Sequence, residues 1–157
     1  LLIELKRVEE LYTLNHYEDA ISACDQAISD NPDDANAWLL RGMALESLQQ
    51  LPDAARAYNR VVKIQPQDHV TWFKLGCILD TLNRPKPATV AFGNVVRLQP
   101  KNHWAWHQWG CMLEQTHQLK EALSAYQQAL TLKPDFQIAR DAHQRVLSEA
   151  MPSAEVN

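Results

Sequence analysis

The sequence predicts an all-α fold made of four stacked helical hairpins and one further helix at the C-terminal end. Two observations support this prediction. Helix-forming residues dominate the composition, and only four of the 157 residues are glycine. Residue types also recur every 34 residues, and a fixed period of about 20 to 50 residues is typical of repeat architectures. Proline shows this period at Pro32, Pro66, Pro100 and Pro134.

Four further columns keep the same step, and each has a physical reason. Glycine inside a helix costs about 1 kcal/mol relative to alanine, so the glycine column predicts a close crossing by the second helix of each hairpin. The alanine column allows the same approach from the second helix. The tryptophans and the later rings are expected to fill the space between hairpins. The columns are Ala20, Ala54, Ala88 and Ala122; Trp38, Trp72 and Trp106; Gly42, Gly76 and Gly110; and Tyr58, Phe92 and Tyr126.

The columns fix where each helix is expected. The first helices should lie near residues 2–14, 36–48, 70–82 and 104–116, and the second helices near 18–30, 52–64, 86–98 and 120–132. The repeated prolines end each second helix, because proline cannot continue a helix and disfavours helix in the preceding residue. In the third hairpin, Pro85 and Pro87 are expected to delay the second helix, and Gly93 to weaken it. We therefore expect the third hairpin to be the least stable.

The two ends of the array differ from its middle. Residues 135–150 predict one more helix with an apolar stripe and a polar outer side, and we interpret residues 137–150 as a capping helix. Residues 151–157 are predicted to be a disordered tail. The first hairpin is degenerate, since Glu4, Val8 and Cys24 stand where tryptophan, glycine and a ring are expected. A terminal unit lacks one neighbour and can lose such packing residues.

The order of these columns resembles the tetratricopeptide repeat family, and in particular its multi-repeat bacterial members. The units are 1–34, 35–68, 69–102 and 103–136, so the resemblance covers the chain up to Phe136. It implies a right-handed α-solenoid of four tetratricopeptide hairpins with a C-terminal capping helix. Some members of the family bind the acidic C-terminal peptides of molecular chaperones with a clamp of lysine and asparagine residues. Of the matching positions only Lys74 fits, which argues against that type.

The resemblance also implies a concave groove lined by the first helices, in which a peptide segment of another protein binds. The apolar groove residues would contact the peptide, although they could instead pack against neighbouring first helices. The carboxylates, which recur once in each repeat, would select basic residues of the peptide, or they are simply solvated surface charges. The predicted peptide-binding residues are Leu39, Met43, Glu46, Phe73, Cys77, Asp80, Trp104, His107, Cys111 and Glu114.

No catalytic residue, metal or cofactor is predicted. His103, His107 and Cys111 share one helical face at i, i+4 and i+8, and zinc binds such side chains. Structural zinc sites normally have four ligands, however, and no Cys-x-x-Cys or His-Glu-x-x-His motif supports a site here. A nucleophile pair of His107 and Cys111 lacks a residue that would orient the histidine.

The bulk properties exclude several classes of partner. A net charge of -4 gives no concentrated basic surface for nucleic acid, and RNA-binding helical repeats usually have slightly longer units with a basic groove. The sequence contains no apolar run of membrane-spanning length. Three widely spaced cysteines favour a reducing compartment, and we expect a cytoplasmic protein. The start at Leu1 is unlike a signal peptide, and we expect the chain to be cut from a longer protein.

The function predicted from the sequence is a non-catalytic protein–protein interaction module, acting as a scaffold or assembly factor. The alternative is an appendage of a larger enzyme or signalling protein whose catalytic part lies outside this chain. Charge is uneven along the array. Residues 1–34 carry two basic and nine acidic side chains, whereas residues 69–102 carry five basic and one acidic. This asymmetry would support weak self-association, unless the charges are merely solvated.

Overall fold

A computed structural model of the chain describes residues 2–150, with side chains described for residues 6–150. The predicted tail at 151–157 lies outside the described residues. Within them the fold is all-α, and each hairpin helix lies within one residue of its expected range. The helices are α1 (Leu2–Thr13), α2 (Tyr17–Asp30), α3 (Ala35–Ser47), α4 (Leu51–Ile64), α5 (His69–Thr81), α6 (Pro85–Leu98), α7 (His103–Gln115), α8 (Leu119–Leu132) and α9 (Gln137–Ala150).

The chain divides into two compact units, Leu1–Ile78 and Leu79–Asn157. In the first unit α1 packs on α2, α2 on α3, and α3 on α4. In the second unit α6 packs on α7, α7 on α8, and α8 on α9. These helices therefore pack mainly on their neighbours in sequence, which is the local contact pattern of repeat proteins.

The close helix crossing that the glycine column predicts is present in the second and fourth hairpins. A Cβ atom added at Gly42 would lie 2.7 Å from Tyr58 Cε1, and one at Gly110 would lie 2.6 Å from Tyr126 Cε1. Both tyrosines are fully buried. The tyrosine ring of each second helix thus lies directly on the backbone of the first helix, where only glycine leaves room.

The first hairpin makes the equivalent contact with the side-chain volumes exchanged. Val8 stands at the glycine position and Cys24 at the ring position, and both are buried in one cluster with Ala20 and Ala44. A larger residue on the first helix is therefore matched by a smaller one on the second. The first hairpin therefore lacks the glycine and the ring of the other hairpins, but the two side-chain volumes compensate each other and this core stays filled.

Side-chain caps at equivalent positions of successive repeats fix the start of the first helices. Asp34 accepts hydrogen bonds from the backbone N–H groups of Asn36 and Ala37, at 3.0 and 3.1 Å. Asp68 and Asn102 cap the helices at the equivalent positions. These side chains satisfy N–H groups that would otherwise have no partner in the first turn.

The tryptophan column connects each first helix to the preceding loop. The indole N–H groups of Trp38, Trp72 and Trp106 each donate to the carbonyl oxygen of the proline at i−6, at 2.9, 3.0 and 2.8 Å. In α9 the equivalent residue is Arg140, whose guanidinium group donates to the Pro134 carbonyl oxygen. The capping helix therefore keeps this contact with a different donor.

The expectation that two prolines delay the second helix of the third hairpin was wrong. Helix α6 begins at Pro85, in step with α4 at Leu51 and α8 at Leu119. The first helical hydrogen bond runs from Ala88 N–H to the Arg84 carbonyl oxygen at 3.1 Å. Pro85 and Pro87 precede Ala88 in the first turn, where N–H groups have no intrahelical partner, so they cost α6 no hydrogen bond.

The turn inside each hairpin contains one residue in the left-handed region, and none of the four is glycine. They are Asn15, Gln49, Asn83 and His117, with φ between 55° and 61°. The N–H group of the next residue reaches back to the carbonyl oxygen at i−5, for example from Gln50 to Leu45 at 2.9 Å. This is the Schellman motif, in which the left-handed position is normally glycine because other residues are strained in that conformation.

We predict that the volume exchange of the first hairpin can be transferred to the second. Gly42→Val alone should reduce the free energy of unfolding, because the new side chain overlaps the Tyr58 ring. Tyr58→Cys alone should also reduce it, by about 3–5 kcal/mol as for other large-to-small changes. In the double variant the two changes should compensate each other. A double-mutant cycle measured by urea unfolding should give a favourable interaction free energy of about 1–3 kcal/mol between the two positions. Additive effects would contradict the compensation.

We also predict that glycine at the left-handed positions stabilises the protein. Gln49→Gly and His117→Gly should each raise the free energy of unfolding by about 1 kcal/mol, because the strain of a side chain at positive φ is removed. Asn15→Gly is the matched control and should gain less, since asparagine tolerates this conformation better. Urea-unfolding midpoints measure the effect. Equal gains at Asn15 and Gln49 would show that left-handed strain is not the cause.

Candidate functional site

In the first unit, the predicted binding residues lie on α3 and α5 and are partly buried. Leu39 and Met43 follow one face of α3 at i and i+4, and Phe73 and Cys77 do so on α5. All four side chains are half-buried. Each of these side chains therefore packs partly against the rest of the protein and keeps part of its surface accessible.

In the second unit, an aromatic cluster surrounds His107. The Trp104 ring stacks on the His107 ring with centroids 5.5 Å apart. Tyr126 and Phe136 contact the same histidine at 5.7 and 5.5 Å. His107 is buried, whereas Trp104 remains 40% exposed. Of these two predicted site residues, Trp104 therefore offers surface to a ligand and His107 supports it from below.

Two of the three predicted carboxylates have partners within the protein that include a cation. Tyr58 Oη donates to Glu46 Oε2 at 2.6 Å, and Lys74 Nζ lies 3.7 Å from the same oxygen. The Lys74 ammonium group also lies 6.0 Å from the Tyr58 ring centroid. Glu46 therefore binds both a buried hydroxyl donor and a cation.

Glu114 has the same two kinds of partner in the second unit. Tyr126 Oη donates to Glu114 Oε2 at 2.7 Å. Arg145 of α9 donates to both carboxylate oxygens, at 2.9 to 3.1 Å. The bond to Glu114 raises the pKa of the Arg145 guanidinium above its usual value. The carboxylate is thus held in a bidentate pair, a strong and directional arrangement.

Asp80 differs from the other two carboxylates. The ring at the position equivalent to Tyr58 and Tyr126 is Phe92, which has no hydroxyl group to donate. Gln115 Nε2 donates to Asp80 Oδ1 at 3.4 Å, which is a long bond. The positions that supply cations to Glu46 and Glu114 are occupied here by Gln108 and Cys111, which carry no positive charge. Asp80 is therefore the carboxylate best suited to bind an external cation.

His107 and Cys111 lie in contact, but their surroundings favour uncharged forms. The Cys111 sulfur is 3.7 Å from His107 Nε2. Burial lowers the pKa of His107, and the Arg145 charge lowers it further against the raising effects of Gln108 and Glu114. Burial also raises the pKa of the Cys111 thiol. A reactive cysteine needs the opposite shift, so this pair is unsuited to nucleophilic chemistry.

The third candidate metal ligand, His103, packs against an aromatic ring. The His103 ring makes an edge contact with Phe136, with centroids 4.9 Å apart. Within the described residues, no group of three or more His, Cys, Asp or Glu side chains is arranged to hold a metal ion. The same part of the chain contains no helix that combines the length and apolar character needed to cross a bilayer.

Sequence reasoning missed Arg145, which it placed on the polar outer side of the capping helix. Arg145 stands one full repeat period after Cys111 and therefore takes, on α9, the repeat position of a predicted peptide-binding residue. Continuing the repeat count through the cap would have found it. The same count shows that Val70, Trp104 and Ile138 share one position, and all three are exposed, at 53%, 40% and 47%.

We predict that His107 makes stability pH-dependent. Its pKa is lowered in the folded state, so below about pH 6.5 the unfolded chain binds more protons than the folded chain. The free energy of unfolding should therefore fall as the pH decreases through this range. His107→Phe keeps a ring among the aromatic neighbours and removes the titration. In urea unfolding, the free energy of unfolding of this variant relative to wild type should increase as the pH is lowered from about 7.5 to 5. The same pH dependence of the free energy of unfolding in both proteins would contradict the prediction.

Comparison with known proteins identifies the repeats. Two family models, both described as tetratricopeptide repeat, match residues 5–69 and 103–136. A comparison with curated protein sequences gave no match.

Solved structures resemble the chain in fold. YrrB, described as a TPR protein with an unusual peptide-binding site, is 20% identical, with 96% of this chain and 78% of that chain covered and a TM-score of 0.83. MamA from Desulfovibrio magneticus RS-1 is 18% identical, with 97% and 96% covered and a TM-score of 0.71. MamA from AMB-1 is 17% identical, with 96% and 81% covered and a TM-score of 0.79. The chain belongs to the tetratricopeptide repeat family and has its all-α helical solenoid fold, which supports a role as a protein-interaction module.

Proposed function

We propose that the chain is a non-catalytic interaction module that binds a peptide segment of another protein on the faces of its first helices. The observation that carries this proposal is the exposed apolar column of Val70, Trp104 and Ile138. Large apolar side chains that remain exposed at one repeated position usually mark a binding surface. Core packing does not require them, because the hairpins already have their own buried rings.

In the second unit, Trp104 is the proposed main anchor. Tryptophan contributes strongly to interfaces because a rigid ring buries much area at a small entropic cost. The stack on His107 limits the motion of the Trp104 indole. We propose that an apolar side chain of the peptide covers the exposed part of this ring. His107 and Cys111 then form the lower wall of the contact.

The carboxylates are proposed to contribute unequally to selectivity. Glu46 and Glu114 already pair with Lys74 and Arg145, so a basic residue of the peptide would have to compete with these cations. Asp80 accepts a long hydrogen bond from the neutral Gln115 side chain. We propose that a lysine or arginine of the peptide pairs with Asp80, which directs register and orientation more than it raises affinity.

In the first unit, Leu39, Met43, Phe73 and Cys77 are proposed to provide a second apolar contact. Their half-buried state leaves part of each side chain available. Methionine adapts to different partner surfaces because it is unbranched and polarisable. We also propose a reducing, cytoplasmic location, because three widely spaced cysteines do not suit a disulfide framework.

A peptide selected on the wild-type protein from a random displayed library tests this function. We expect Phe73→Ala combined with Trp104→Ala to weaken binding of the selected peptide about tenfold or more, because two aromatic anchors are removed. Isothermal titration calorimetry measures the affinity. Val90→Ala is the matched control, since Val90 is 61% exposed but lies on the second helix α6. Undiminished binding by the double variant would remove the first-helix faces from the proposal.

A further inference from the structure

Two pockets lie on residues that the proposed peptide site does not use. In the second hairpin, one pocket is lined by Trp38, Arg41, Asp53, Arg56 and Arg60, among others. In the fourth hairpin, a pocket of about 470 Å³ occupies the equivalent positions. Its lining residues are Trp106, Trp109, Lys120, Glu121, Ser124, Ala125 and Gln128.

In the second hairpin, the protein covers the tryptophan with its own cations. The Arg41 and Arg60 guanidinium groups lie 5.9 and 5.7 Å from the Trp38 ring. Arg41 is held by Asp25 at 2.6 Å and Arg60 by Asp33 at 3.4 Å. This pocket therefore contains guanidinium groups on an indole face, with carboxylates behind them, an arrangement that cation–π attraction favours.

In the fourth hairpin, the positions equivalent to the two arginines Arg41 and Arg60 carry no charge. The residue equivalent to Arg41 is Trp109, and the residue equivalent to Arg60 is Gln128. The positions that supply guanidinium groups to Trp38 therefore supply none to Trp106. The acidic position is retained, because Glu121 replaces Asp53.

The two indoles of this pocket are fixed in place. Trp106 Nε1–H donates to the Pro100 carbonyl oxygen at 2.8 Å. Trp109 lies across Gly93 of α6, where an added Cβ atom would come within 3.3 Å of the indole nitrogen. The ring centroids are 5.6 Å apart and the planes meet at 61°. The rings thus form a corner that needs little ordering before it binds a ligand.

We propose that this corner binds the guanidinium group of an arginine side chain presented by a partner protein. The planar guanidinium group stacks on an indole face, and its fork of N–H donors suits nearby oxygen acceptors. The Glu121 carboxylate, the Ser124 hydroxyl and the Gln128 amide line the pocket and supply such acceptors. Lys120 also lies on the rim and opposes a cation, so Lys120→Met should strengthen the interaction.

This site is separate from the proposed peptide site, and it also accounts for Gly93. The sequence predicts that Gly93 weakens α6. Its lack of a side chain also lets the Trp109 indole lie against the helix. Gly93 thereby helps to form the pocket.

The test uses the capped peptide acetyl-Gly-Arg-Gly-amide as the probe, with the citrulline peptide as a neutral control of the same shape. The indole N–H signals of the ¹⁵N-labelled protein report binding, and Trp→Phe variants assign them. We expect saturable shifts of the Trp106 and Trp109 signals at millimolar arginine peptide, with at least fivefold weaker effects from citrulline. Equal shifts with both peptides, or no saturable shift at these two indoles, would overturn the proposal.

Three variants test the pocket further. Gln128→Arg restores the residue found at Arg60 and should cover Trp106 from within, weakening the arginine response at least fivefold. Gln127→Arg is the matched control, since it adds the same charge at the adjacent exposed residue of α8, and it should weaken the response less than twofold. Glu121→Gln should weaken it about threefold, as expected for the loss of one partly exposed charge partner. Equal effects of the two arginine variants would overturn the proposal.

Discussion

The close contact between a glycine of the first helix and a tyrosine ring of the second helix is the constraint on which the rest of the structure depends. Gly42 and Gly110 have no side chain, so Tyr58 and Tyr126 can lie on the helix backbone. The contact sets how near the two helices of a hairpin come. It also directs each tyrosine hydroxyl toward the carboxylate at i−12. Core packing thereby fixes the position of a charged group on the face that we propose for peptide binding.

This coupling explains why the carboxylates differ in availability. Where the ring is tyrosine, the acid is glutamate, and it also holds a cation from the protein itself. In the third hairpin the hydroxyl is absent at Phe92, and the acid is the shorter Asp80. The change in the core and the change at the surface occur together. A buried substitution thus alters which surface carboxylate is left for a partner, although Phe92 itself does not reach that surface.

Most of the fold could be predicted from the sequence, because helix length and proline position follow from local rules. The candidate site could be predicted only in part. The family resemblance implied Trp104 and Asp80 as site residues, but not that Arg145 pairs with Glu114, since that contact joins two helices that are not adjacent in the chain. The prediction for the start of α6 was wrong because proline breaks the interior of a helix but is tolerated in its first turn. The left-handed turn residues Gln49 and His117 could not be predicted from the sequence, because glycine is the residue expected in that conformation.

The exchanged pair in the first hairpin limits how these repeats can be recombined. A whole hairpin carries both members of its contact, so it can be duplicated or moved as one piece. A junction between the two helices would separate them. Val8 would then meet a tyrosine and overlap it, or Cys24 would meet a glycine and leave a void. Gene segments that begin and end at the repeated prolines avoid both outcomes, so the inheritable module is the hairpin and not the single helix.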